Sequence, residues 1–236
     1  MVSGKAALLD QLIVSGSNFL IFALAARLLP AEDVARYAYA FGFYMFLFML
    51  AYAWIYQNVM ASGKEGFDAA LLANFRWLNA TLVCGSFPLV WLLFHLIAGK
   101  SSGLISADAF LATCFVAVNQ MVDFSRRTAY FFDAISFWHS PLAISILGFL
   151  PRIPMLAMFS PTTFDQFMIV LIISSFPALL FHARDLIGSR PVQFFPFLRK
   201  QVSDGKWMTL NIPINWAWGH SPVYLIGGIL GMKAAG

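Results

Sequence analysis

Ala6–Leu29 reads AALLDQLIVSGSNFLIFALAARLL, a run in which Asp10, Gln11, Ser15, Ser17, Asn18 and Arg27 are the polar interruptions. Its apolar length exceeds the roughly 7–15 residues of a secretory signal's hydrophobic core, and a signal core does not carry an Asp, a Gln and an Asn. It matches the roughly 20 helical residues needed to cross a hydrocarbon layer about 30 Å thick. Ala6–Leu29 is therefore expected to be a retained first membrane span.

Six further stretches have the same character: Val34–Met60, Phe67–Ala98, Ser106–Phe132, Ile135–Met158, Thr163–Ala183 and Trp207–Met232. The expected fold is all-α, a polytopic transmembrane bundle of about seven spans. Lipid offers no partner for backbone amides, so a spanning segment must satisfy them internally as a helix. A β-barrel is excluded because the runs lack period-two alternation and are too long for membrane strands. Between them lie polar or Pro/Gly-rich breaks: Pro30-Ala31-Glu32-Asp33, Ser62 to Gly66, Gly99 to Gly103, and Ser160 to Thr163. The fourth and fifth spans meet in a tight turn near Asp133. Pro141, Pro151 and Pro154 leave the fifth span kinked or re-entrant at its end.

Composition agrees. Of 236 residues, 60% are hydrophobic, 17% aromatic and 11% charged, against roughly 25% charged in soluble domains; mean hydropathy is +0.76. Such a chain would aggregate in water, which excludes a soluble enzyme. The net charge is +4 and the pI about 9.2, but the basic residues do not cluster as a nucleic-acid footprint requires. They lie between the apolar runs, as topology signals do. With the N-terminus inside, ten Lys and Arg fall on the cytoplasmic side and five (Arg27, Arg36, Lys100, Arg152 and Lys233) on the outer side. The positive-inside rule then expects a cytoplasmic N-terminus.

The segment 185–206 is expected to be a cytoplasmic linker. Phe194, Phe195, Phe197 and Leu198 beside Arg199 and Lys200 suit either a short amphipathic helix on an anionic membrane surface or a plain tether. Residues 1–184 form a first six-helix bundle in this division, and 207–236 the first helix of an incomplete second one. Shifting the chain by 201 positions supports it: Gly4-Lys5 falls on Gly205-Lys206, Asp10 on Asn211, and Leu9, Ile13, Leu24 and Leu29 on Leu210, Ile214, Leu225 and Leu230. Six spans separate the copies, an even number, so the repeats would be parallel, as in some secondary transporters. The second copy stops at Gly236, where another span is expected, so the chain reads as a C-terminally truncated fragment.

The passage Leu9-Asp10-Gln11, Ser15 to Phe19, Ala26-Arg27-Leu28-Leu29-Pro30, Glu32-Asp33-Val34 and Tyr37 resembles the opening of polysaccharide and oligosaccharide flippases. These belong to the multidrug/oligosaccharidyl-lipid/polysaccharide (MOP) superfamily. Ala35 stands where the family usually has Gly before x-Tyr, and Asp123 to Arg127 resembles its basic corner at the inner end of the fourth span. The resemblance implies a parent with two bundles facing a central cavity. Its cargo is lipid-linked oligosaccharide of the undecaprenyl-diphosphate type, moved across the bacterial inner membrane. Membrane lipids and other glycan-assembly membrane proteins are the partners it implies. No cofactor and no metal is expected.

The residues themselves single out two polar faces. On the first helix Asp10, Gln11, Ser15, Ser17 and Asn18 share an arc of about 160°. On the fourth, Asn119, Gln120, Asp123, Arg126, Arg127 and Tyr130 share about 100°, opposite a Leu/Phe/Val face. A charge facing lipid costs at least ~2.5–3.5 kcal/mol, so the second stripe should face protein or water. Arg126 and Arg127 either attract a diphosphate inside a cavity, helped by Asn119 and Gln120, or anchor the helix by pairing with Asp123 or Asp133. Asp10 either binds a coupling ion or caps the first helix. Arg27 and Arg76 read as anchors that snorkel. In the seventh span Trp207, Asn211, Asn215 and Trp218 share a face, for sugar stacking or for helix packing; Asn18, Asn211 and Asn215 complete the cavity candidates.

Enzyme signatures fail. Gly99-Lys100-Ser101-Ser102-Gly103 spells G-x-S-x-G without the strand-to-helix elbow, and Phe94 stands where a P-loop would begin with Gly. His95, His139, His182 and His220 lack metal-ligand spacing. Cys84 and Cys114 lie inside apolar runs with no C-x-x-C, as packing residues do. Asn79-Ala80-Thr81 is a glycosylation sequon buried in a span. A transporter is the leading expectation. The alternatives are a drug/cation antiporter of the same superfamily, a membrane polymerase, ligase or acyltransferase of glycan synthesis, and a non-functional remnant. Short outer connections argue against the enzyme.

Overall fold

The computed structural model describes residues 4–58, 69–98, 107–131, 140–180 and 190–230. Helix α1 runs Gly4–Leu28, α2 Ala31–Ala51, α3 Ala69–Ala98, α4 Ala107–Thr128, α5 Pro141–Gly148, α6 Arg152–Phe159, α7 Phe164–Ser174 and α8 Phe194–Leu230. No strand occurs among the described residues. The chain is an all-α bundle in which five helical stretches are long and apolar enough to cross a membrane: Gly4–Leu28, Ala31–Tyr56, Ala69–Leu96, Ala107–Thr128 and Pro141–Phe159.

The ends of these helices follow from local chemistry. Leu29 precedes Pro30, a position that disfavours helical backbone, so α1 stops and α2 starts directly after the proline. Glu32 and Asp33 occupy the first turn of α2, where negative charge suits the positive end of the helix dipole. Ser140 caps α5 by accepting from the Ala143 amide, with Pro141 at the first helical position. The interruption between α5 and α6 falls where Pro151 and Pro154 lack the amide hydrogens a continuous helix would need. The fifth span is thus two half-helices in one candidate crossing.

The sixth and seventh expected spans differ from the other five. In the sixth, α7 is apolar but short; it breaks at Ser175, and helix resumes over 176–180. In the seventh, the helix begins at Phe194 and passes through 206 without a break. At about 1.5 Å per residue its 37 residues exceed a hydrocarbon layer. The expected linker and the expected span are therefore one rod. Its first turns pack inward through Phe194, Phe197 and Leu198, and Asn74 of α3 holds the Val192 backbone by two hydrogen bonds of 2.8 and 2.9 Å. The expected turn near Asp133, the Gly99–Gly103 stretch, and His139, His182 and Lys233 lie outside the described residues.

Helix α4 is the hub, packing against α2, α3, α5 and α7, while α1 lies against α2, α5 and α6. Tyr37 of α2 marks the centre: its ring contacts Phe22 of α1, Phe115 of α4 and Phe167 of α7 at centroid distances of 4.8, 5.9 and 5.2 Å. The outward surface is apolar. Leu8, Leu12 and Phe19 of α1, Leu96 of α3 and Met158 of α6 are all exposed, a surface that suits lipid and not water.

Where α2 continues beyond Ala51, Tyr52–Tyr56 forms a π-helical turn, a feature frequent at functional sites. Helix α8 docks on it. A Cβ on Gly205 would come within 2.7 Å of the Ala53 carbonyl oxygen, so only glycine permits this approach. Next to it the Trp54 indole donates to Thr209 Oγ1 at 2.7 Å.

Candidate functional site

The polar stripe of α4 faces protein. Asn119, Gln120, Asp123 and Arg126 are buried. Their partners divide into a charged network at the end of the bundle where α1 begins and α4 finishes, and a neutral amide pair one to two turns deeper.

The charged network joins three elements. Asp10 of α1 is buried and accepts from Arg126 Nη1 at 2.6 Å, from the Tyr130 hydroxyl and from Ser145 Oγ of α5. Arg126 also donates to Asp123 Oδ1, from Nη2 at 2.7 Å and Nε at 3.2 Å. Arg127 donates from Nε to Asp123 Oδ2 at 2.7 Å. Two carboxylates thus meet two guanidinium groups, and the network is neutral overall. Arg127 is its accessible member, its side chain 34% exposed, with its guanidinium 4.5 Å from the Phe48 ring centroid and 5.4 Å from that of Tyr56. Such stacking favours a cation held partly out of water.

Of the two expectations for Asp10, helix capping does not fit this placement. The helix begins at Gly4, so Asp10 is well past the unpaired amides of the first turn, and its carboxylate is engaged with α4 and α5. For Arg126 the pairing with Asp123 anticipated from the sequence is present, and a second partner, Asp10, could not be read from local spacing. Asn119 donates to the Phe115 carbonyl of its own helix at 2.7 Å.

Gln120 reaches across to α3, where its Nε2 donates to Asn79 Oδ1 at 2.9 Å. The other half of each amide, Gln120 Oε1 and Asn79 Nδ2, has no partner among the described residues, and neither does the Tyr56 hydroxyl. An unused acceptor and an unused donor on paired buried amides can serve a hydroxyl group, of water or of a guest molecule. Asn79 was legible in the sequence as a sequon; its complete burial makes it part of this pair.

The remaining candidates are not gathered here. Asn18 is half-buried on α1, about two turns beyond Asp10. Asn211 and Asn215 are exposed, and Asn211 donates to the Trp207 carbonyl of its own helix. The packed face of α8 is instead set by Gly205, Thr209, Ile212 and Trp216, at helical spacing. Trp216 donates to the Gly42 carbonyl at 2.8 Å and stacks near Phe43. Trp207 is 70% exposed, and Trp218 lies outside the described side chains.

A second charged group closes the opposite end of the bundle. Arg36 of α2 is buried and pairs with Glu32, Asp33 and Asp108, at 2.9, 3.2 and 3.1 Å. Asp33 also accepts from the Phe164 amide that begins α7. This cluster ties α2, α4 and α7 together at their N-termini. Arg27, at the end of α1, is exposed.

Arg152 falls inside the expected fifth span, toward the end that Pro151 and Pro154 were expected to kink, and counts toward the outer side; its burial was not legible from sequence. It lies within the fifth span at the start of α6 and is 1% exposed. Its Nε and Nη2 both donate to Ser175 Oγ, at 3.2 and 2.9 Å, and its guanidinium rests 4.6 Å from the Phe149 ring centroid.

Comparison of the chain with protein-family models, with curated proteins and with solved structures finds no match. The chain is an α-helical bundle built for a membrane. Within it, and among the described residues, no group of three or more His, Cys, Asp or Glu side chains is placed to hold a metal ion. Cys84 is exposed, Cys114 is half-buried, and both are free thiols.

Proposed function

We propose that this chain is a membrane transporter of the polysaccharide-export flippase type. It would move lipid-linked oligosaccharide of the undecaprenyl-diphosphate class across the bacterial inner membrane by alternating access, alongside other glycan-assembly membrane proteins. Its N-terminus would be cytoplasmic, which places the Asp10–Arg126–Asp123–Arg127 network toward the inner leaflet.

The observation that carries this reading is the burial of Asp10, Asp123 and Arg126 within helices otherwise suited to hydrocarbon. Ionisable side chains at such positions are expensive and mark substrate or ion pathways by default. The N-terminal resemblance supplies the class of cargo. Arg127, held by one carboxylate and partly exposed, is the side chain best placed to receive a diphosphate, since its fork can donate in pairs. The unpaired halves of Gln120 and Asn79 suit a hydroxyl-bearing guest nearby.

The test is complementation in a bacterium that lacks its own polysaccharide flippase. Expression of this chain should restore surface polysaccharide. Arg127→Gln, which leaves the Asp10–Arg126–Asp123 pairing intact, should lower export about tenfold or more at equal membrane abundance. No restoration by a chain that is inserted and folded would contradict the proposal. A gain in drug tolerance without export would turn the assignment to the antiporter.

A further inference from the structure

Arg152 stands apart from the other buried arginines. Arg126 meets Asp10 and Asp123, and Arg36 meets Glu32, Asp33 and Asp108. Arg152 is as deeply buried as either, yet among the described residues no carboxylate lies within ion-pair distance of it. Its polar partner is one serine hydroxyl, which two of its nitrogens share. That hydroxyl is itself committed to the Leu171 carbonyl at 2.8 Å. A full positive charge withdrawn from water and left without a countercharge is strongly unfavourable, and bundles seldom keep one without use.

Its surroundings are interrupted helix. Arg152 begins α6 immediately after the α5–α6 interruption, where Pro151 and Pro154 have no amide hydrogen to give. The amides of Arg152 and Ile153 make long contacts of 3.4 Å to Phe149 and Leu150. Ser175, the partner hydroxyl, sits at the break in the neighbouring span. Two adjacent helices are thus interrupted at one arginine, about 10 Å from the far end of α6 and about 16 Å from the start of α5 by helical rise. Discontinuous helices inside a membrane are where transporters place substrate and ion sites.

We infer that Arg152, with Ser175, forms an oxyanion site within the bundle that takes a phosphate group. One guanidinium neutralises one negative charge, and its planar fork fits two phosphate oxygens. The phosphate belongs either to a free anion or to a lipid headgroup. The inference is independent of the flippase reading, because inorganic phosphate alone satisfies it. In the conformation described the site is closed over, so the anion enters when the two half-helices and α7 part.

The test uses the purified full chain in detergent and reads its thermal unfolding midpoint at constant ionic strength. The probes are inorganic phosphate, a long-chain polyprenyl phosphate, and the uncharged polyprenol as control. The midpoint should rise with added phosphate by the mass action of binding to the folded state, and should not respond to polyprenol. A response to both phosphates assigns a site open to free anions; a response to the lipid alone assigns a headgroup site. Arg152→Met should abolish the response while its unliganded midpoint stays at or above that of the wild type, since an unpaired buried charge has gone. Should R152M not fold, R152K keeps the charge without the fork and should need several-fold more phosphate for the same shift. A wild type indifferent to both phosphates, an R152M that responds as the wild type does, or an R152K with unchanged phosphate dependence overturns the proposal. None of these readouts involves glycan export, so failure here and failure of the export assay are separate results.

Discussion

Asp10 lies early in a helix whose other inward residues are Ser17, Ile21 and Ala25, and its three side-chain partners are 116 or more positions away. Removing one member of a buried pair leaves the other uncompensated, at a cost of about 3–5 kcal/mol. Asp10→Ala should therefore destabilise the bundle by about that amount in denaturant unfolding in micelles. Replacing both partners with apolar residues, D10L with R126M, should cost clearly less than the sum of the single changes, because Asp123 keeps Arg127. Additive losses would contradict the pairing. Which α4 residues turn inward was legible, because Asn119, Gln120, Asp123 and Arg126 recur at helical spacing against an apolar face. What they meet was not, because nothing local to residue 10 or residue 79 records that it will lie against α4. The burial of Arg152 was not legible for a related reason: Pro151 and Pro154 signal a kink, but nothing local records that Ser175 and Phe149 will close over the guanidinium.

The elements whose boundaries were legible are those closed by strong local signals, such as the Leu29-Pro30 junction between α1 and α2 or the Ser140-Pro141 start of α5. The continuous α8 was not, because Gly205 reads as a helix breaker until its close approach to Ala53 is seen. Gly148, the last residue of α5, has a similar role. A Cβ there would lie 2.6 Å from Val122 Cγ1 of α4 and 3.2 Å from Ala178 Cβ. Gly148→Ala should force α5 away from α4 and cost about 1–3 kcal/mol by overpacking. Val122→Ala opens space for the new methyl, so G148A/V122A should be more stable than G148A alone in the same unfolding assay. A double variant no better than G148A would mean that α5 and α4 do not approach at this point.

Among the described residues, buried charge is arranged in three places. One neutral network holds α1, α4 and α5 together at one end, the Arg36 cluster joins α2, α4 and α7 at the other, and Arg152 lies between them at the double helix break. Apolar helices give little net drive to associate in lipid, so packing and interhelical polar bonds must hold them. The two networks and the Tyr37-centred aromatic cluster provide both. The all-α fold and the membrane class followed from composition and run length, since these depend on the solvent and not on the partners; the lengths of the sixth and seventh spans did not.

All of this requires that lipid surround the bundle, with Asp10, Ser17 and the polar stripe of α4 turned inward. The most direct test places single spin labels in a chain whose Cys84 and Cys114 have been replaced, reconstitutes it in bilayers, and compares collisions with lipid-soluble oxygen and with a water-soluble nickel chelate. Labels at Leu12, Phe19 and Phe110 should show high oxygen and low nickel accessibility, and labels at Ser17, Ile21, Ala25 and Asn119 should be protected from oxygen. Oxygen maxima at Ser17 and Asn119, or high nickel accessibility at Leu12 and Phe19, would contradict it.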